Sequence, residues 1–296
     1  MNAGSIQVAA RRLLATPRAR RLRRIPIHLA IVTICVVWVV PSLALLISSF
    51  RPGNQVATTG WWTALSPPFA FTLENYVGVL GGRNLGTAFM NSLLVTIPAT
   101  ILTVLVAAFA GYAFAWMRFP GRQWLFIVVV GLMIVPVQIT LVPLLRLFNA
   151  VGLTGTFLGV WLAHAGFGLP FAIYLLRNFF ASLPRDMFES AYIDGASPLT
   201  AFLRLALPTS VPGLASLAIF QFLWVWNDLL VALIFLGGRQ TVAPLTVAVS
   251  NLLSSQGEGW QLLTAAAFVS MALPLAVFFA LQRFFVRGIL AGSVKG

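Results

Sequence analysis

Six strongly apolar runs leave this chain little choice of architecture: Ile27–Ser49, Phe89–Ala115, Trp124–Leu145, Phe157–Leu176, Val211–Leu236 and Leu262–Phe285. A helix rises about 1.5 Å per residue, so about 20 residues cross the ~30 Å hydrocarbon core of a bilayer, and every run is near that length. Composition agrees, with 59% hydrophobic and 8% charged residues. A soluble domain carries about 25% charged residues. The expected fold is all-α: a polytopic membrane protein with six transmembrane helices in one domain, 27–290. A basic tail, 1–26, precedes it and a short tail, 291–296, follows. Six crossings put both termini on the same side.

Lysine and arginine set the orientation. With the N-terminus inside, the inner segments hold fifteen cationic residues, and the outer ones hold four: Arg51, Arg83, Arg146 and Arg239. Cytoplasmic loops carry such an excess, so both termini are expected in the cytoplasm. The net charge of +13 invites a nucleic-acid reading. Seven of the arginines, though, lie between Arg11 and Arg24, directly before a span, where topology and anionic headgroups account for them. No nucleic-acid partner is expected. Ile27–Ser49 is longer than the apolar core of a signal peptide and reads as an anchor that stays.

Several chemistries are excluded by count. Cys35 is the single cysteine, so neither an intrachain disulfide nor a cysteine-based metal cluster is possible. His28 and His164 form no metal-binding pair, and His164, beside Gly166 and Gly168, reads as a polar contact between helices. The one lysine is Lys295, so no P-loop can be written and ATP is not bound in that way. No cofactor is expected in this chain. An intramembrane hydrolase lacks its G-x-S-x-G sequence or a second membrane aspartate. Pro41, Pro98, Pro136, Pro143, Pro170, Pro212 and Pro274 fall within the spans, where each removes a helix hydrogen bond and favours a kink.

The segment 184–208, between spans four and five, is too polar to cross a bilayer. Gly195 is suited to a turn with positive φ, Ser197-Pro198 is an N-cap and first-turn pair, and Pro208 is expected to stop a second helix. Leu199, Phe202, Leu203 and Ala206 follow helical spacing, which predicts an apolar stripe on a helix lying at the membrane surface. The segment therefore reads as a cytoplasmic helix-turn-helix.

Its register resembles the EAA loop of ABC importer permeases: Glu189-Ser190-Ala191, Gly195 after three residues, and Leu205-Ala206-Leu207-Pro208 after nine more. Ser190 and Leu205 replace the family's Ala and Ile. Further likeness runs from about Thr72 to the end, through Ala88–Leu93, Pro136-Val137-Gln138, Leu169–Arg177, Phe222–Asp228 and the Phe285–Gly296 tail. These are similar to the carbohydrate-uptake permeases of the maltose and glycerol-3-phosphate group, on the smaller, G-type side of the pair. The resemblance implies a second permease subunit, two ATPase subunits that hold ATP and Mg, and an extracellular sugar-binding protein, all in the inner membrane or at its faces. It implies that Glu189, Ala191, Asp194, Gly195, Ala196, Leu207 and Pro208 couple to the ATPase, with Ser293, Val294 and Lys295 as a tail contact.

Polar residues inside spans mark either a path or a structural bond. Asn91, Gln138, Trp226, Asn227 and Asp228 are the candidate substrate path, able to hydrogen-bond and stack a sugar. Each can equally hold the bundle or meet the partner permease. Asp228, the one acidic residue clearly inside a span, also leaves room for an ion-gradient-driven secondary carrier.

Overall fold

The computed structural model describes residues 17–82, 85–252 and 259–293, with side chains over 25–81, 85–252 and 259–282. Among the described residues, all regular structure is helical. The chain divides into two compact units, residues 1–75 and 76–296.

In the first unit, α1 (Pro17–Ser49) begins inside the basic tail and runs on through Pro26 and Pro41. Arg51, counted above among the outer loop charges, is only 1% exposed. Its guanidinium donates to the carbonyls of Gln55 and Thr59, each at 3.3 Å, and to Thr63 Oγ1 at 3.1 Å. It thereby caps the C-terminal end of α2 (Gly53–Thr58), where free carbonyls and the helix dipole favour a cation. A 3₁₀ turn, Trp61–Leu65, follows. Asn75 donates to the carbonyls of Ser49 and Arg51 at 2.9 and 2.8 Å and closes the segment on itself.

The second unit is organised around α4 (Leu85–Trp116) and α7 (Phe157–Ala181), the most extensive helix pair. Ala99, Thr103, Ala107 and Gly111 recur every fourth residue on α4 and are buried. Small residues at that spacing let two backbones approach. A Cβ on Gly111 would lie 3.0 Å from the Arg177 amide nitrogen of α7, which measures how close they come. The remaining elements are α3 (Glu74–Gly82), α5 (Arg122–Leu132), α6 (Val137–Ala150), α8 (Arg185–Ile193), α9 (Pro198–Thr209), α10 (Val211–Trp226), α11 (Leu230–Leu236), α12 (Leu245–Ser250) and α13 (Trp260–Ser293).

Among the described residues, four helices are long and apolar enough to cross a membrane, and up to six spans result if each of two bent pairs is one. The expected third span is one of those pairs, with α5 and α6 bent by 105° at residues 133–136. Pro136 has no N–H for the ladder and biases Val135 away from helix, so α5 ends at Leu132 and α6 restarts with Pro136 as its extended cap. The second bent pair is α9 and α10, at 75°, and the expected fifth span is interrupted at a separate place. α10 stops at Trp226, because Asn227 Nδ2 turns back to the Leu223 carbonyl at 2.7 Å and Asp228 Oδ2 takes the Ala232 amide at 3.0 Å. Such local side-chain bonds compete with the helical ladder. The last helix runs on to Ser293, well past Phe285.

Candidate functional site

Two places gather the singled-out residues. The first is the helix pair α8 and α9. α8 ends in a Schellman motif: the Ala196 amide donates to the Ala191 carbonyl at 2.9 Å, and the Gly195 amide to that of Tyr192 at 3.1 Å. Gly195 sits at φ 81°, where a Cβ is disfavoured. Ser197 Oγ then accepts the Thr200 amide at 3.1 Å and caps α9, with Pro198 in its first turn. Ala191, Gly195 and Ala196 therefore shape this corner through their backbones.

α9 departs from the expected geometry. Residues Phe202–Ala206 are π-helical, and the Leu207 amide reaches back to the Phe202 carbonyl. Pro208, which lacks an amide proton, sits in the final turn, so it does not stop the helix; the helix continues to Thr209. Ala201, Phe202 and Ala206 are buried, whereas Leu199 and Leu203 are exposed.

Two aromatic plugs hold this pair to α4 and α7. Phe188 is fully buried and stacks on Trp116 at 3.9 Å, while Trp116 Nε1 donates to the Phe180 carbonyl at 2.9 Å. Phe202 packs against Tyr112 at 5.0 Å, and the hydroxyls of Tyr112 and Tyr192 lie 3.2 Å apart. Sequence reading named Phe202 only as part of an apolar stripe and passed over Phe188, Trp116 and Tyr112, although Phe188 directly precedes Glu189. The opposite face carries Arg185, Glu189, Ile193, Asp194, Leu199 and Leu203, all exposed. Arg185 and Glu189, one turn apart, form no ion pair among the described residues. Leu207 is half-buried and Pro208 exposed.

The second place is the break between α10 and α11. Its carboxylate, Asp228 Oδ2, lies 3.8 Å from His164 Nε2 of α7, in agreement with His164 as a contact between helices. Asn227 is exposed, and Thr246 Oγ1 donates to the Asp228 carbonyl at 2.7 Å. Asn91 Nδ2 donates to the carbonyls of Thr241 and Ala243 at 3.0 and 3.1 Å, and Ser92 Oγ accepts the Leu245 amide at 2.7 Å. Asn91 thus spends both donors on the segment whose next residues touch Asp228. Gln138 stands exposed in the first turn of α6, and no hydrogen bond joins it to the other four.

Trp226 cannot stack a sugar in this state. It is 2% exposed, donates Nε1 to the Ser270 carbonyl at 3.1 Å, and has Phe222 stacked on it and Phe89 edge-on. Trp224 is the accessible indole, 38% exposed and perpendicular to the His164 ring at 5.6 Å. Of the tail candidates, Ser293 is the last residue of α13, and Val294 and Lys295 lie outside the described residues.

The model of the binding-protein-dependent transport system inner membrane component matches residues 103–291. The chain belongs to that family. It is 58% identical over 276 residues to the osmoprotective compounds uptake permease protein GgtD of Synechocystis sp., covering 92% of this chain and 93% of that one. It is 56% identical to the alpha-glucoside transport system permease protein AglG of Rhizobium meliloti over 80% of this chain, although it spans only 63% of that relative. The trehalose transport system permease protein SugB of Mycobacterium tuberculosis is 36% identical, with 77% and 84% covered. Among solved structures, a bacterial ABC transporter involved in the import of the acidic polysaccharide alginate shares the fold at TM-score 0.76, with 18% identity and 91% and 99% of the chains covered. A complex of that type of transporter with a periplasmic protein superposes at 0.62, with 14% identity and 90% and 96% covered. The chain is thus a multi-pass membrane permease with the fold of ABC importers. Transporters of this family keep the ATPase in partner subunits.

Proposed function

We propose that this permease forms half of the pore of an ATP-driven importer of carbohydrates, paired with a second permease subunit in the cytoplasmic membrane. The observation that carries the reading is the family match together with 56% identity to an alpha-glucoside permease and 36% to a trehalose permease. In this reading six crossings, with α5–α6 as the third and α10–α11 as the fifth, place both termini and the α8–α9 corner in the cytoplasm. Two ATPase subunits, which hold ATP and Mg, dock there, and an extracellular sugar-binding protein delivers substrate to the outer mouth.

The α8–α9 corner suits the coupling role. Its buried face is plugged into α4 and α7 by Phe188 and Phe202, so a push on its exposed face is passed to the two central helices as a rigid-body shift. ATP biases the pore only through different contacts in its two states. Glu189, Asp194 and the exposed Leu207–Pro208 end would meet the ATPase, with Ser293, Val294 and Lys295 as a second contact. Asn227 and Asp228 are the path residues best placed to read hydroxyls, with Gln138 at the other break, and Asn91 holds the segment beside them.

Purification of the complex from cells that co-express the neighbouring transporter genes, followed by uptake in proteoliposomes, tests the reading. Sugar uptake that requires ATP and a co-purified ATPase is expected. Uptake by the isolated chain, driven by an ion gradient without ATP, would replace this reading with a secondary carrier.

A further inference from the structure

Two buried polar side chains whose atoms lack partners face one seam between α7 and α10. His164, with no exposed surface, has neither ring nitrogen hydrogen-bonded among the described residues, and Gln221 leaves Nε2 unbonded. The seam has a simple register. His164 and Gly168 are one turn apart on α7; Gly168 faces Gln221, and His164 meets the Trp224 ring and, beyond the end of α10, Asp228. A Cβ at Gly168 would lie 2.6 Å from Gln221 Oε1, so the glycine makes the room that the glutamine fills. Buried polar atoms without partners are expensive where no water reaches, and they need a use.

The charge of the seam is lopsided. α4, α10, α11 and α12 carry no charged side chain, and α7 carries only Arg177, thirteen residues from His164 and so about 20 Å along the helix. Arg177 lies over the Phe126 ring and bonds Asn178. Among the described residues, only His164 comes within ion-pair range of Asp228. Two exposed side chains precede it in the chain: Asn227, whose Nδ2 goes to the Leu223 carbonyl and leaves Oδ1 free, and Trp224, whose ring meets His164 edge-on. An acceptor-only carboxylate, an amide and an apolar ring are what a neutral polyol needs: donors are read by oxygen, and the C–H face lies on the indole.

We propose that Trp224, Asn227 and Asp228 form a subsite for a neutral carbohydrate ring, that His164 is the positioning residue holding the Asp228 carboxylate, and that this carboxylate turns anionic solutes away. This rests on the carbohydrate-permease reading above. His164 does not touch the ring. It fixes the carboxylate from behind, and the Ala232 amide fixes it from the side.

The test uses the complete transporter in nanodiscs, with binding of radiolabelled maltose, trehalose, sucrose, glucuronate and glycerol 3-phosphate measured without the binding protein. Wild type is expected to bind at least one neutral probe and neither anion. Trp224→Ala should weaken that binding about tenfold, the equivalent of about 1.4 kcal/mol. His164→Ala should weaken it about fivefold, and His164→Asn, which keeps a donor, should restore it to within about twofold. Asp228→Asn should admit at least one anion. Unchanged neutral binding in Trp224→Ala, or exclusion of both anions by Asp228→Asn, overturns the subsite, as does wild type that binds none of the five probes. If the two His164 variants lose thermal stability equally and bind normally, the positioning role falls. Wild type that takes up glycerol 3-phosphate but none of the sugars overturns the carbohydrate reading beneath it, whereas uptake of glucuronate in place of the neutral sugars overturns the subsite alone.

Discussion

Arg51 is a charge turned inward, and its surroundings say what it is for. Every acceptor it meets, the Gln55 and Thr59 carbonyls and the Thr59 and Thr63 hydroxyls, is neutral, and all lie within twelve residues of it. A hydrogen bond to a charged group is worth about 1.5–3 kcal/mol net. Residues 52–73 contain no other charged side chain to take over. Arg51→Met should therefore loosen Gly53–Leu65 while leaving α4 and α7 as they are. Hydrogen exchange over that peptide is expected to speed up by at least about tenfold in the variant, since a factor of ten corresponds to about 1.4 kcal/mol of local opening. Equal protection in both proteins would mean that the guanidinium only fills space.

At the scale of elements, local chemistry was readable and competition between elements was not. Gly195, Ser197 and Pro198 sit where turn and cap rules put them, because a positive φ and an exposed N-terminus leave few residue types. Hydropathy located the apolar runs, yet it is blind to bonds such as Asn227 to Leu223, which end a helix without lowering its apolar content. Helical spacing likewise placed Leu199, Phe202, Leu203 and Ala206 on one apolar stripe, but it could not tell that Phe202 and Ala206 are buried in the protein while Leu199 and Leu203 stay exposed. It also gave no means of telling Trp226 from Trp224, two residues apart on opposite sides of one helix. Close approach was equally hidden, since nothing marks which small residue meets a backbone. Gly111 does, and the atoms its Cβ would press on, Arg177 N at 3.0 Å and Leu176 Cβ at 3.1 Å, belong to the body of α7. Gly111→Leu is expected to part the two helices and to destabilise the permease by at least the about 1–3 kcal/mol typical of overpacking. Thermal unfolding in detergent, with Gly131→Leu as the control at a site that has open space around it, checks this. Similar melting of the two variants would refute the close-approach argument.

For the whole molecule, the question is how a chain with no P-loop is driven, and the answer has to lie on a surface. The α8–α9 corner is anchored on one side by rings and bare on the other, where Glu189 stands exposed with no ion pair to Arg185. A charge that serves only the helix would have taken that partner one turn away, at a gain of about 0.2–0.5 kcal/mol. Left free, it is available to a cation on the ATPase, and reversing it would set like charges against each other across a desolvating contact, where truncating one partner of a buried charge pair already costs about 2–5 kcal/mol. Glu189→Lys should then leave the permease inserted and paired with its partner permease, but lower ATPase retention on purification by about tenfold or more, with uptake falling in parallel. The fold itself should not change, because the residue touches nothing in the core. Co-purification from membranes that contain equal amounts of wild-type and variant permease is the measurement. Retention of the ATPase at the wild-type ratio, with uptake intact, would remove Glu189 from the coupling surface and leave the exposed Ile193, Leu199 and Leu203 to carry it alone.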